Sequence, residues 1–169
     1  MSAIEHRSRR GYTIVELLVV IVVIAILASL TLIGYQKVQA SSRGRARAAD
    51  LTSMRQALER YYTKHGAYPV AVSAGSTAPA YQRRDGVNFL RELVPQTIAE
   101  LPTVTNGDTS SATSNTYRYS TNAQQTEYKL VYVQSSAISG DELSAVPEVM
   151  RVAGKTDQYG VWSSGGAGL

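Results

Sequence analysis

The sequence predicts an α+β protein in which one long N-terminal helix packs on a small antiparallel β-sheet. The first half of this helix is predicted to span a membrane and the second half to be amphipathic. Three observations lead to this prediction. Residues 17–33 carry no charge, apolar residues recur at helical spacing over residues 51–61, and residues 117–134 read as a β-hairpin.

The composition narrows the functional classes. The 169-residue chain has a net charge of +4, of which the first eleven residues carry +2, so the body is weakly basic and resembles no typical nucleic-acid binder. The chain has no cysteine, which excludes disulfides, thiol catalysis and cysteine metal sites. It has eleven tyrosines, one Trp and one Phe. We expect the tyrosines at surfaces that are partly packed and partly solvated, such as subunit contacts.

The apolar run over residues 17–33 is predicted to be a membrane helix. Seventeen helical residues span roughly 25 Å, at the short end for a bilayer, and the run has no polar face. One alternative is a buried core helix, but the rest of the chain is too small to surround it. The other is a cleaved secretory signal, but no good small-x-small cleavage site follows the run. Arg7, Arg9 and Arg10 precede the run, so we expect a cytoplasmic N-terminus and an extracytoplasmic body.

Glu16 is a carboxylate at the start of this run. Deep in a bilayer it would cost on the order of 2–3 kcal/mol, and such groups usually have a partner. Either the side chain reaches back to the lipid headgroups, or a positive group meets it at the same depth.

Residues 11–18 (GYTIVELL) lie between a short basic leader and about twenty apolar residues. This arrangement resembles the processing motif of type IV pilins and of the pseudopilins of type II secretion and DNA-uptake systems. The resemblance implies that prepilin peptidase cuts between Gly11 and Tyr12 and methylates the new amine of Tyr12. It also implies that Glu16, with Thr13 beside it, serves subunit assembly by meeting a neighbour's N-terminal amine, so that both groups share the desolvation cost.

The resemblance implies a structural subunit of a type IV pilus-like or type II secretion-like filament, with no enzymatic activity, cofactor or metal. The implied partners are other subunits, prepilin peptidase, an assembly ATPase, a membrane platform protein and, before assembly, the lipid bilayer of the inner membrane. DNA as a partner stays open. The alternative is a monomeric, membrane-anchored module that binds DNA, a surface ligand or secreted cargo.

Three departures from the family pattern bear on the subfamily. Tyr12 replaces the usual phenylalanine, and Ile33 stands where many major pilins have a proline. The paired C-terminal cysteines of many pilins are absent as well. The missing proline and cysteines point slightly away from a conventional major pilin, and major pilin, minor pilin and pseudopilin all stay open.

The predicted organisation has four parts: a leader (1–11), a transmembrane and assembly helix (12–35), its amphipathic continuation (36–64) and a globular α+β head (65–169). The apolar stripe of the continuation consists of Leu51, Met54, Leu58 and Tyr61. His65 and Gly66, followed by Pro69, predict its end.

The head is predicted to contain a short helix, a hairpin and loops. The helix covers residues 89–101 and is interrupted by Pro95, and the hairpin joins strands 117–121 and 127–134. One or two further strands are expected over residues 149–152 and 160–162. Residues 70–86 and 106–115 are predicted to be loops, and residues 165–168 a flexible tail.

We find no catalytic constellation, since the two histidines, His6 and His65, have no matching partners and no nucleophile motif occurs. Asp141 and Glu142, with Asp157 nearby in sequence, are predicted to be solvated loop acids; the alternative is a calcium site, although the spacing matches no known loop. The basic residues Arg43, Arg45 and Arg47 are predicted to form a solvated or inter-subunit face, with a patch for nucleic acid or anionic lipid as the alternative.

Overall fold

A computed structural model describes residues 12–71, 81–83, 89–104 and 115–169, with the backbone alone for residues 31–33 and 81–83. The helices are α1 (Ile14–His65) and α2 (Gly140–Ser144), and the strands are β1 (Tyr81–Arg83), β2 (Thr116–Thr121), β3 (Tyr128–Val133) and β4 (Gln158–Trp162). Single 3-10 turns occur at Arg91–Leu93, Glu148–Met150 and Gly166–Gly168. The chain divides into two compact units, Met1–Val38 and Gln39–Leu169.

The described strands form one antiparallel sheet in the order β1-β2-β3-β4. Tyr117 is paired with Tyr132, and Tyr132 with Tyr159, so these side chains share one face of the sheet. The predicted α+β class, with a long N-terminal helix and a small antiparallel sheet, is confirmed.

The core of the second unit lies between this sheet and the part of α1 that belongs to the unit. Leu51, Met54 and Leu58 are fully buried in it, and Tyr61 is half-buried beside them. The stripe predicted from the spacing is therefore the face that packs. Leu130 and Val161 of the sheet belong to the same cluster.

Tyrosines supply the bulk of this core. Five of them are fully buried: Tyr117, Tyr119, Tyr128, Tyr132 and Tyr159. Each hydroxyl donates a hydrogen bond to an acceptor. The pairs are Tyr117 to Asp50 (2.7 Å), Tyr119 to the carbonyl of Pro69 (2.8 Å), Tyr128 to Glu59 (3.2 Å), Tyr132 to Gln134 (3.3 Å) and Tyr159 to Glu142 (3.2 Å). The expectation that the tyrosines serve subunit contacts is wrong for these five, because a buried hydroxyl with an acceptor is tolerated in a core.

We expect this core to limit stability at alkaline pH. Burial raises the pKa of Tyr132 to about 12, although Arg47 opposes the shift, and burial also raises the pKa of Tyr117 and Tyr159. An unfolded tyrosine ionises near pH 10, so the stabilising contribution is complete below about pH 10 and is lost as the pH rises through about 12. The tyrosinate absorbance of the buried tyrosines should therefore appear in that window together with the loss of the near-ultraviolet circular dichroism signal. Complete ionisation below pH 11 with an unchanged dichroism spectrum would contradict the prediction.

Three predictions for the head are wrong in detail. Residues 81–83 form strand β1 instead of loop; a strand of three residues is too short to show a period. The helix expected over residues 89–101 is a single 3-10 turn, because Val94 is extended, as a residue before proline tends to be. Residues 148–150 form a 3-10 turn, and Arg151 makes an isolated bridge to Tyr159 instead of a strand.

The glycine-rich C-terminal segment, predicted to be flexible, is packed on β3. A Cβ at Gly166 would lie 1.9 Å from the carbonyl oxygen of Tyr128, so the close approach requires glycine. Lys129 Nζ donates hydrogen bonds of 2.8 Å to the carbonyls of Ala167 and Leu169. The predicted loop over residues 106–115 lies outside the described residues apart from Asn115, as does most of residues 70–86.

Candidate processing and assembly site

The predicted site residues lie at the start of α1. Tyr12 and Thr13 precede the helix, and Glu16 is in its first turn. Gly11, on the other side of the predicted cleavage point, lies outside the described residues. Within the first unit the structure thus brings together three of the four predicted site residues, Tyr12, Thr13 and Glu16.

Thr13 and Glu16 hold each other by three hydrogen bonds. Glu16 Oε2 accepts from the backbone N–H of Thr13 (2.8 Å) and from its hydroxyl (3.0 Å), and Thr13 Oγ1 accepts from the backbone N–H of Glu16 (3.2 Å). The carbonyl of Thr13 accepts the first helical bond, from Leu17 N at 3.2 Å. This reciprocal arrangement is a capping box, with Thr13 as the N-cap.

Sequence reasoning missed this capping box, although its signal was present. Thr13-x-x-Glu16 directly ahead of an apolar run is the pattern by which a capping box is found. Glu16 therefore has a partner within its own chain, whereas the sequence led us to expect one only in a neighbouring chain or among the headgroups.

One carboxylate oxygen of Glu16 remains available in this arrangement. Both bonds from Thr13 go to Oε2, and Oε1 accepts no hydrogen bond from any residue that the structure describes. Apolar Val15, Leu17 and Val20 border the carboxylate, all exposed in the single chain. The Glu16 carboxylate is thus a negatively charged acceptor within an apolar surface. A cationic group of another molecule could bind to it there.

Helix α1 is long and apolar enough to cross a membrane. An 18-residue window of it has a mean hydropathy of 3.1, and none of that window is buried within the chain. A core helix of a soluble protein would be mostly buried, whereas a signal sequence would meet the same criterion.

A second charged cluster lies within the second unit, where α1 meets α2. The Glu142 carboxylate is 4% exposed, contacts Arg47 Nη1, lies 3.7 Å from Arg43 Nε and accepts the Tyr159 hydroxyl. The Arg47 guanidinium is 4.1 Å from the ring centroid of Tyr132. The prediction that Glu142 is a solvated loop acid is wrong, and Arg47 likewise faces the core, while Arg45 is exposed.

Two features of the chain bring Glu142 into this position. Ser139 caps α2 by accepting from Glu142 N at 3.3 Å, which turns the side chain toward α1. On α1, a Cβ at Gly44 would lie 2.5 Å from the Glu142 carbonyl oxygen, so the contact requires glycine. The ion pair of Arg47 and Glu142 joins residues far apart in the chain and produces no repeating pattern in the sequence, so sequence reasoning missed this pair.

Among the described residues, no three side chains of the metal-ligating types come together.

Two comparisons with known proteins give a match for this chain. A family model described as the prokaryotic N-terminal methylation motif matches residues 6–32. A curated relative, the type IV major pilin protein PilE1 of Neisseria gonorrhoeae, is 32% identical over 72 residues, which is 43% of this chain and 34% of the relative. The chain thus spans about a third of that relative's length. No solved structure gives a significant match. The methylation motif and the similarity to a type IV major pilin together support a type IV pilin or pseudopilin family.

Proposed function

We propose that the chain is a structural subunit of a type IV pilus-like or type II secretion-like filament, cut after Gly11 by prepilin peptidase, methylated at Tyr12 and assembled through α1. The observation that carries this proposal is the methylation motif over residues 6–32, which overlaps residues 6–11 of the proposed leader and almost all of the apolar run. The named pilin relative supports the same role.

Before assembly, the subunit is a single-pass protein of the inner membrane. The basic leader holds the N-terminus on the cytoplasmic side, and the body lies outside. Helix α1 suits this role because its apolar window has no cover within its own chain. An assembly ATPase and a membrane platform protein then extract the subunit, and the apolar surface of α1 exchanges lipid for the helices of other subunits.

Assembly places a neighbour's Tyr12 amine against Glu16. Both charges leave water in a helical bundle, and each compensates the other's desolvation. The absence of a hydrogen bond to Oε1 from any residue that the structure describes supports this step, because the amine can bind there while Oε2 still serves the capping box. The chain performs no chemistry of its own in this proposal; the peptidase cuts and methylates it.

The N-terminus of the mature chain tests the proposal. The full chain is expressed with a prepilin peptidase, extracted from membranes and analysed by intact mass and N-terminal peptide mass. We expect a chain that begins at N-methylated Tyr12, and an uncut chain when the peptidase is absent. A chain that begins at Met1 in both cultures, or that begins beyond Ser29, would contradict it. Single copies on crosslinking in membranes that assemble filaments would instead favour a monomeric anchored binding module.

A further inference from the structure

We propose that a groove between α1 and the end of β4 binds the exposed Glu148–Met150 turn of a second copy of the chain. We call these two surfaces the Trp162 groove and the Val149 turn. The inference rests on the proposed function, since it names a contact between neighbouring subunits of the filament. Both surfaces belong to the second unit, so this contact is additional to the one through Glu16.

The Trp162 groove combines an aromatic ring with positive charge. It is an open cavity of about 530 Å³, bordered by Arg55, Glu59 and Arg60 of α1 and by Trp162 and Ser164 at the end of β4. Trp162, the one tryptophan of the chain, is half-buried, and the other four residues are exposed. Tryptophan and arginine are enriched among the residues that supply most of the binding energy of protein interfaces. The composition of the groove therefore indicates a surface that binds another protein.

The charge of the groove determines what it binds. Glu59 is the one acid on its border, and its two carboxylate oxygens accept from the hydroxyls of Tyr68 (3.1 Å) and Tyr128 (3.2 Å). Arg55 makes no hydrogen bond or ion pair with any residue that the structure describes. Its guanidinium is therefore available to a carboxylate of another molecule, with which it can form two charge-assisted hydrogen bonds.

The Val149 turn carries the complementary groups. Val149 is 83% exposed, more than any other large apolar side chain described in the second unit. Glu148 beside it is exposed, and its carboxylate makes no hydrogen bond or ion pair with the described residues. The turn itself is held in place, because Met150 is buried and its backbone N–H donates to the carbonyl of Pro147 at 3.0 Å. The turn thus presents a carboxylate and an apolar side chain in a fixed arrangement, which lowers the entropy cost of binding.

The two surfaces fit each other in charge and polarity, which is why we choose a second copy as the occupant of the groove. The carboxylate of the turn matches the guanidinium of the groove, and the exposed valine matches the indole ring. The surfaces are also separate: Arg151, next to the turn, bridges Tyr159, and Trp162 lies three residues further along β4, roughly 10 Å away. One copy can therefore bind one neighbour through its groove and another through its turn. Contacts between two different surfaces repeat without closing in pairs, as an open filament requires.

Crosslinking between two single-cysteine variants tests the contact, and the absence of native cysteines makes the result specific. Full-length Val149→Cys and Ser164→Cys chains are produced together in cells that supply prepilin peptidase and the assembly proteins. Sheared filaments are treated with a short bis-maleimide reagent, and linked peptides are identified by mass spectrometry. We expect links between positions 149 and 164. Ala123→Cys, in an exposed turn, replaces Ser164→Cys as the matched control and should give at least tenfold fewer links to position 149. Filaments without the 149–164 link, or with links between two copies of position 149 alone, would overturn the inference.

A charge exchange tests the predicted pair of Arg55 and Glu148. Arg55→Glu and Glu148→Arg each bring two like charges together, so we expect at least about tenfold fewer sheared filaments from either variant. The double variant restores opposite charges and should recover most of the filaments. Near-ultraviolet circular dichroism of each full-length chain in detergent verifies that the second unit is folded. Wild-type filament levels from both single variants, or no recovery in a folded double variant, would overturn the inference. If the wild-type chain forms no filaments at all, the proposed function fails instead.

Discussion

Glu16→Gln chains should be cut at Gly11 and stay in the membrane, yet assemble into filaments at least a hundredfold less than wild type. The substitution keeps the shape and the capping acceptor but removes the charge that a neighbour's amine would meet. That amine would be buried without a counter-ion, at a cost of about 3–5 kcal/mol per subunit, and every 1.4 kcal/mol is a tenfold change in an equilibrium constant. Sheared filaments are measured by immunoblot and electron microscopy, relative to the membrane pool.

Two controls separate assembly from processing in this experiment. Glu16→Ala loses the capping box as well, so once processed it should assemble no better than Glu16→Gln. Thr13→Ser keeps both functions and should form normal filaments once processed. Wild-type filament levels from Glu16→Gln, with a confirmed mature N-terminus, would show that the charge of Glu16 has no part in assembly.

Glu142→Ala should lower the free energy of unfolding by about 3–5 kcal/mol, because it leaves a largely buried guanidinium without its carboxylate. The Arg47 side chain is 12% exposed and has little access to water as a substitute. The Tyr159 hydroxyl loses its acceptor in the same variant. Denaturant unfolding of the full chain in detergent, followed by near-ultraviolet circular dichroism, measures the change.

An exposed acid a short distance along the chain provides the matched control. The Glu148 side chain is exposed in the 3-10 turn Glu148–Met150, and Glu148→Ala should change the unfolding free energy by less than about 0.5 kcal/mol. The double variant Arg47→Met with Glu142→Leu replaces the ion pair by apolar side chains and should recover much of the loss. Equal stability of Glu142→Ala and Glu148→Ala would mean that the buried pair contributes nothing.

Features that repeat along the chain could be predicted from the sequence. The apolar run, the stripe through Leu51, Met54 and Leu58, and the hairpin of β2 and β3 each extend over several residues, and each is confirmed. The processing motif is local as well, which is why residues 11–18 with their flanks were enough to indicate the family.

Features that depend on pairs far apart in the chain could not be predicted. The contact of Arg47 with Glu142 joins residues 95 positions apart, and neither position shows its partner in its own neighbourhood. Four of the five buried tyrosines have their hydrogen-bond acceptor at least 17 positions away, such as Asp50 for Tyr117 across 67 positions. The capping box is the exception, since its signal lies within four residues and was overlooked beside the stronger family motif.

The acceptors of the buried tyrosines also determine where the helix can sit on the sheet. Asp50 and Glu59 are nine residues apart on α1, roughly 13.5 Å, and they bind Tyr117 of β2 and Tyr128 of β3. A slip of one residue would move them by about 1.5 Å and turn them by about 100°, which would break both bonds, whereas Leu and Met side chains adapt to small displacements. Within the second unit, α1 therefore packs on the sheet in a single register. In the proposed filament, where the subunit would repeat many times, this matters because a small difference in shape between copies would accumulate along the assembly.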